Sequence, residues 1–245
     1  MLDTTFYEVS FEEPVLRRDL AATCRLFGLY RLAHIDDGRI TVRMPGGVLA
    51  KPDDVAFGDM RASDAVFVAD GQDSDPEARV DADTLAAHRA ILAARPEIMV
   101  VIEVTGGAAA AVACGPEGLL PISQNACLLQ HQVAYHGYEG LALNHDERER
   151  LVADLGDKPL MLLRNHGTLA VGNTAAEAWV GIFFLERACA QQVAALSAGR
   201  DNVLIAPDAA QAETKEQGRG IGFISSLAWP GALRQLQRKS PGYDI

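Results

Sequence analysis

The sequence predicts a layered α/β domain, a sheet covered on its faces by helices. Three observations predict it. Segments of helical periodicity alternate with short β-branched runs, and no Pro/Ser/Gly-rich linker divides the 245 residues. An apolar fraction of 49% beside 22% charged residues fits a soluble chain with a sizeable core. One domain over residues 1–245 is expected, with 205–245 as a C-terminal extension that either wraps a neighbour or is mobile.

Residues 14–28 carry Leu16, Leu20, Cys24 and Phe27 at three- and four-residue spacing, so they read as an amphipathic helix closed by Gly28. A strand follows at 39–43, where Ile40 and Val42 alternate with polar neighbours, and another at 65–68, ending at Asp70-Gly71. Pro45-Gly46-Gly47 between them is a turn. Residues 82–94 predict a helix stopped by Pro96, with Leu85, His88, Ile91 and Leu92 on its apolar face. The β-branched run 98–105 is the central strand. Gly106-Gly107 breaks it, and the Ala-rich 108–113 opens a small helix. Ser123-Gln124-Asn125 begins another. Asn144-x-x-Glu147 and Thr174-x-x-Glu177 have capping-box spacing, which places helices over 148–155 and 175–196, and 160–163 between them is a buried strand. No internal repeat is visible.

A formal net charge of -11 argues against a nucleic-acid backbone or an anionic membrane surface as partner, because both need a basic patch. A small molecule or another protein is left. Met1-Leu2-Asp3-Thr4-Thr5 lacks the basic and apolar regions of a signal peptide, and no run reaches ~18 apolar residues, so the cytoplasm is the expected location. Cys24, Cys114, Cys127 and Cys189 lie far apart without C-x-x-C spacing and read as reduced thiols. No G-x-G-x-x-G or G-x-x-x-x-G-K-[ST] stretch is present, so the known nucleotide cradles are absent.

Leu163-Arg164-Asn165-His166-Gly167-Thr168-Leu169-Ala170-Val171-Gly172 resembles the R-N-H-G segment of the class II aldolase and adducin head family. Other stretches agree in order: Ile40-Thr41-Val42-Arg43-Met44-Pro45-Gly46, His88 followed by Ala94-Arg95-Pro96-Glu97, Leu120-Pro121-Ile122-Ser123-Gln124, and Val133-Ala134-Tyr135-His136-Gly137-Tyr138-Glu139-Gly140. The resemblance covers roughly 15–200. It implies a three-layer α/β/α sandwich around a largely antiparallel central sheet, assembled as a homo-oligomer, tetramer or dimer. Catalytic members hold zinc through an H-x-H on the central strand plus the R-N-H-G histidine, and place a glutamate one helical turn before the helix histidine as general acid/base.

Mapped onto this chain, the resemblance puts Ile102 and Val104 at the two strand ligand positions and Thr84, four before His88, at the acid/base position. None of these can do the family's work, so neither metal nor other cofactor is expected. Glu103 lies between the two strand positions and is directed by alternation to the opposite face, where it pairs with a cation. Asp83 is a candidate helix cap. His166 remains, either as a general base or donor, for which an imidazole pKa of about 6.5 is suited, or as a histidine that orders the turn.

His136, Tyr135 and Arg164 join His166 as catalytic candidates. Asn165, Gly106, Gly107, Gln124, Asn125 and His88 are the substrate-binding candidates. For His136 the alternative is a surface loop position, and for His88 a satisfied core histidine. His34, His131 and His145 have no evident partner. Gly106-Gly107 is of interest as a small-residue loop of the kind that binds phosphate through backbone amides, although the charge and the lack of a nearby lysine disfavour an anionic substrate.

Two functions are consistent with these residues. One is a zinc-independent small-molecule enzyme of aldol/lyase, decarboxylase or isomerase type on an oxygenated substrate. The other is a catalytically inactive, adducin-like oligomeric binding or scaffold protein. A third alternative rebuilds a metal-dependent lyase from His166, His136 and Glu103 or His88.

Overall fold

The structure, a computed structural model, describes residues 10–33, 38–77, 79–140, 145–218 and 220–245. The N-terminal stretch Met1 to Thr5, His34, the cap expected at Asn144 and the side chain of His145 lie outside the described residues.

The chain begins with helix α1 (Glu13–Leu29), whose Pro14 sits in the first turn, where a missing N–H costs nothing. Strands β1 (Gly38–Met44) and β2 (Gly47–Ala50) form a hairpin around Pro45-Gly46, and β3 (Val66–Ala69) adds to β2. Helix α2 (Ala82–Ala94) leads to β4 (Val100–Val104), then come the short α3 (Gly107–Ala113) and α4 (Gln124–Leu129) and β5 (Val133–His136). Helix α5 (His145–Leu155) crosses to β6 (Leu160–Leu163), and β7 (Gly167–Gly172) precedes the long α6 (Ala175–Leu196). Helices α7 (Asp208–Gln217) and α8 (Ile221–Lys239) close the chain.

Seven strands form one sheet in the order β3-β2-β1-β4-β7-β6-β5. The sheet is mixed. Neighbours from β3 through β6 pair antiparallel, and β5 pairs parallel with β6 because α5 carries the chain back across the sheet. The expected α/β sandwich is present, with that parallel edge pair as the refinement.

Side-chain alternation divides the core in two. Ile40, Val42, Val100, Ile102, Val104, Leu162 and Ala170 pack under α1, α3, α4, α6 and α8. Val101, Ala134, Met161, Leu163, Leu169 and Val171 pack under α2 and α5. Each face of the sheet thus has its own apolar layer, as a three-layer sandwich requires.

Residues 205–245 form helices rather than a loose extension. Trp229 of α8 is fully buried, 6.0 Å from the ring of Trp179 on α6. Arg25 of α1 donates Nη1 to the carbonyl of Pro241 at 2.6 Å and Nε to that of Met60 at 2.6 Å, and the amide of Ala62 donates to the carbonyl of Tyr243 at 2.9 Å. The chain end is thereby fastened to its own first helix. Pro230 inside α8 cannot donate the backbone bond of that turn, and the packing of Trp229 and Leu236 compensates. Among the described residues no helix is long and apolar enough to cross a membrane.

Candidate functional site

β4 and β6 both run antiparallel to β7, and β5 runs parallel to β6, so the carboxyl ends of β4, β5 and β6 lie along one edge. That edge, with the first turns of α2 and α5, encloses a cleft of about 290 Å³. Carboxyl ends of strands are where open α/β sheets place ligands, because the chain leaves the sheet there and side chains project into a crevice.

β4 supplies Glu103 and, just beyond its end, Thr105 to the cleft wall. Ile102 and Val104 are fully buried on the opposite face beneath α6. The expectation that Ile102 and Val104 stand at the site, with Glu103 pointing away, is therefore corrected by one residue. Because side chains alternate, a shift of one in register exchanges the two faces of a strand, and the pair two apart that faces His166 is Glu103 and Thr105.

Glu103 stands opposite Arg39 of β1 and Leu169 of β7. Its side chain is 10% exposed, and its Oε1 lies 3.5 Å from Nε2 of His166. Burial pushes the Glu103 carboxyl above the ordinary glutamate range, while His166 and Arg39 pull it back. His166 belongs to the turn between β6 and β7, where Asn165 takes a left-handed φ of 55°. Gly167 follows, and a Cβ there would sit 2.2 Å from the carbonyl oxygen of Val104. Only glycine lets β7 start this close to β4, which brings His166 over Glu103.

The second wall comes from β5 and α5. His136 ends β5 and its side chain is 5% exposed. Its Nδ1 lies 2.7 Å from Oδ2 of Asp154, and its Nε2 lies 3.8 Å from Oε1 of Glu147, with no hydrogen-bond partner for that nitrogen. A carboxylate on Nδ1 requires a proton on that nitrogen. Glu147, expected as half of a capping box, is a buried member of the cleft wall.

The remaining predicted residues divide. Arg164 reaches the cleft, but its guanidinium bonds the carbonyls of Gly115 and Pro116 and lies 4.6 Å over the ring of Tyr135. Tyr135 points to the other side of β5, where its hydroxyl accepts from the amide of Leu119 at 3.1 Å. Asn165 is exposed and serves the turn rather than the cleft wall.

Gly106 and Gly107 do not line the cleft. Gly107 has a φ of +85°, and the amides of Ala108 and Ala109 that follow donate to Glu186 of α6 at 2.8 and 3.1 Å. An internal carboxylate thus fills the place a phosphate would need, and burial pushes the Glu186 carboxyl upward. Gln124 faces a separate groove beside residues 204–218, and Asn125 faces α6 and α8, because α4 packs on the other layer. His88 lies wholly inside the core, with Nδ1 2.8 Å from the hydroxyl of Thr41. Asp81, not Asp83, caps α2 by accepting from the amide of Thr84 at 2.8 Å, while Asp83 pairs with Arg148 at 3.2 Å. Thr84 lines the cleft.

Sequence reasoning passed over Glu147, Asp154 and Arg39 and placed Glu103 on the wrong face. The available signal for Glu103 was a lone charge in an otherwise apolar central strand.

The zinc set implied by the resemblance can be tested against this donor chemistry. Glu103 and His166 approach each other, but the third position is the Thr105 hydroxyl, a poor zinc ligand. Among the described residues no three His, Cys, Asp or Glu side chains converge as a metal-holding group. The residues present do not fit the family's metal centre.

Comparison with known proteins agrees with the architecture. The model of the Class II Aldolase and Adducin N-terminal domain matches residues 18–193. A protein of Caulobacter vibrioides, named only provisionally as an aldolase class 2 protein, is 49% identical over 242 residues, 96% of this chain and 94% of its own length. Human beta-adducin is 32% identical over 241 residues, 93% of this chain but 32% of its own length. Among solved structures, an aldolase II superfamily protein from Pseudomonas syringae superposes with a TM-score of 0.89 at 37% identity, covering 97% of this chain and 98% of that one. An L-fuculose 1-phosphate aldolase from Glaciozyma antarctica PI12 superposes with a TM-score of 0.77 at 25% identity, covering 96% and 95%.

Proposed function

The chain belongs to the class II aldolase and adducin N-terminal domain family, and from that premise we propose that it is a zinc-independent enzyme for a small oxygenated substrate, of aldol/lyase, decarboxylase or isomerase type. One observation carries this: a buried carboxylate, Glu103, lies 3.5 Å from the half-exposed imidazole of His166, both lining the cleft. These reaction types share one demand, a proton moved beside a carbonyl while charge builds on its oxygen. A carboxyl raised by burial holds a proton more readily than an ordinary glutamate does, and an imidazole beside it can serve the adjacent atom. Thr84 and Thr105 stand in the cleft wall beside this pair. No step of this scheme uses a metal.

The test is turnover of a panel of hydroxycarbonyl compounds by wild-type protein, Glu103→Gln and His166→Ala, with elemental analysis of the same samples. Each variant should lose about a hundredfold or more of the rate, the ordinary worth of a positioned acid or base. A wild-type rate in His166→Ala sinks the proposal. Stoichiometric metal that vanishes in His136→Ala would instead favour a rebuilt metal site.

An adducin-like scaffold role has its own support. Leu204, Leu227, Phe223 and Val193 expose apolar surface at 90%, 62%, 42% and 45%. We propose that these exposed apolar side chains serve a homo-oligomer, dimer or tetramer, in a cytoplasmic protein, whichever role the cleft plays. If both cleft variants behave as wild type while a variant of this surface loses function, the scaffold role replaces the catalytic one.

A further inference from the structure

The cleft is lined mainly by charged and hydroxyl-bearing side chains, and one phenol ring stands among them. Tyr138 is 51% exposed, and of the large apolar side chains exposed among the described residues it is the one that lines the cleft. The other apolar lining residues described, Leu151 and Leu163, are 2% and 5% exposed and belong to the core beneath. A half-open ring in a cleft wall holds apolar area that an incoming ligand can still take out of water.

The position of that ring is set from both sides. The carbonyl of His136 before it accepts from the amide of Arg164 at 2.9 Å. The carboxylate of Glu139 after it accepts from Nε of Arg150 on α5 at 2.8 Å, and from Nη2 as well. A guanidinium fork on a carboxylate fixes direction as well as charge. The ring is thus held in the cleft wall before a ligand arrives, and less ordering entropy is lost on binding.

The rest of the lining decides which ligand suits this ring. An aryl group would need apolar walls on both of its faces, and Tyr138 supplies one. A polyhydroxylated ring carries both characters. Hydroxyls at its edge match the carboxylates, imidazoles and hydroxyls of the other lining residues, and its C–H bonds, slightly positive at hydrogen, lie on the negative face of an aromatic ring. An open-chain polyol turns its hydroxyls to all sides and offers no such face. At about 290 Å³ the cleft stands at the small end of ligand pockets, with room for one such ring. We propose that Tyr138 is a stacking platform, and that the cleft takes its substrate as a small polyhydroxylated ring of sugar or sugar-lactone type, with the C–H face of that ring on the phenol. This rests on the cleft being the substrate site, as in the function proposed above, but it is measured by binding without turnover.

The experiment is saturation-transfer NMR on the full chain with methyl pyranosides, locked as rings, and the alditols of the same configuration, locked open, beside benzyl alcohol as an aryl probe. Pyranosides should bind more tightly than their alditols, with the strongest saturation on ring C–H protons. Tyr138→Ala should weaken the pyranosides about tenfold and the alditols hardly at all. Tyr138→Phe, which keeps the ring and loses the hydroxyl, should bind pyranosides as wild type does, which a role for that hydroxyl in hydrogen bonding would not allow. Alditols binding as well as pyranosides, benzyl alcohol binding better than either, no signal from any pyranoside, unchanged pyranoside affinity in Tyr138→Ala, or a Tyr138→Phe variant as weak as Tyr138→Ala would overturn the proposal. If Tyr138→Ala loses the pyranosides while Glu103→Gln and His166→Ala turn over at the wild-type rate, the platform stands and only the catalytic role of the Glu103–His166 pair falls.

Discussion

Single residues in this protein place charge and polarity where burial makes them expensive. Glu103 is the clearest: its carboxyl is held high by a dry surrounding on a strand that is otherwise wholly apolar. Glu103→Gln should therefore leave thermal stability equal or higher, by up to about 2 kcal/mol, while turnover collapses, since a buried charge costs more than a buried amide. Thermal melts paired with rate measurements check this. His88 shows the converse. Burial and Arg39 hold its imidazole down at about 3, so it is neutral in the fold, whereas the unfolded chain takes up a proton near 6.5. Between those values the unfolded state binds more protons, and stability present above 6.5 is lost as the pH falls, by about 1.4 kcal/mol per unit. Glu103 and Glu186 act in the opposite sense, since raised carboxyls gain stability on acidification. The contribution of His88 is isolated by urea melts of the double variant His88→Leu with Thr41→Val, whose stability should fall about 2 kcal/mol less than that of wild type between pH 7 and pH 5.

At the scale of elements, the approach of β7 to β4 holds the site together. A methyl at residue 167 would collide with the backbone of β4 rather than with a yielding side chain. Gly167→Ala should cost about 1–3 kcal/mol and lower turnover more than stability explains, because His166 moves with the turn. Denaturant midpoints compared with rates decide it. Helix α6 starts at Thr174, whose hydroxyl accepts from the amide of Glu177 at 3.1 Å, while Glu177 reaches back to the amide of Asn173 at 2.9 Å. Thr174→Ala should cost about 1 kcal/mol and leave the cleft untouched, which makes it a fitting stability control.

At the scale of the molecule, α8 and the last residues complete the layer above α1 and α6. Truncating Trp229 to Ala should cost about 3–5 kcal/mol, since a fully buried indole leaves a large cavity. Arg25→Ala should release the chain end more selectively, read as early proteolytic cleavage after α8 with the core still folded. The apolar surface at Leu204 and Leu227 predicts that light scattering finds an oligomer, and that Leu204→Glu with Leu227→Glu shifts it toward monomer without unfolding it.

The sequence by itself determined the α/β class, the position of α2 and α6 to the residue, the buried strand at 160–163 and the family. Those features are local: periodicity, a proline stop, a capping threonine and ordered motifs each act within a few residues of themselves. It left β2, β5, β7, α7 and α8 unassigned, since short buried strands flanked by glycine carry no alternation and a polar tail carries little periodicity. Only the tertiary structure decided the face of Glu103, the meeting of His136 with Asp154 and Glu147, and the closing by Glu186 of the Ala108 and Ala109 amides that follow Gly106-Gly107. Each of these joins segments far apart in the chain, and a strand's facing follows from its partners' register, in which one residue of slip exchanges core for cleft.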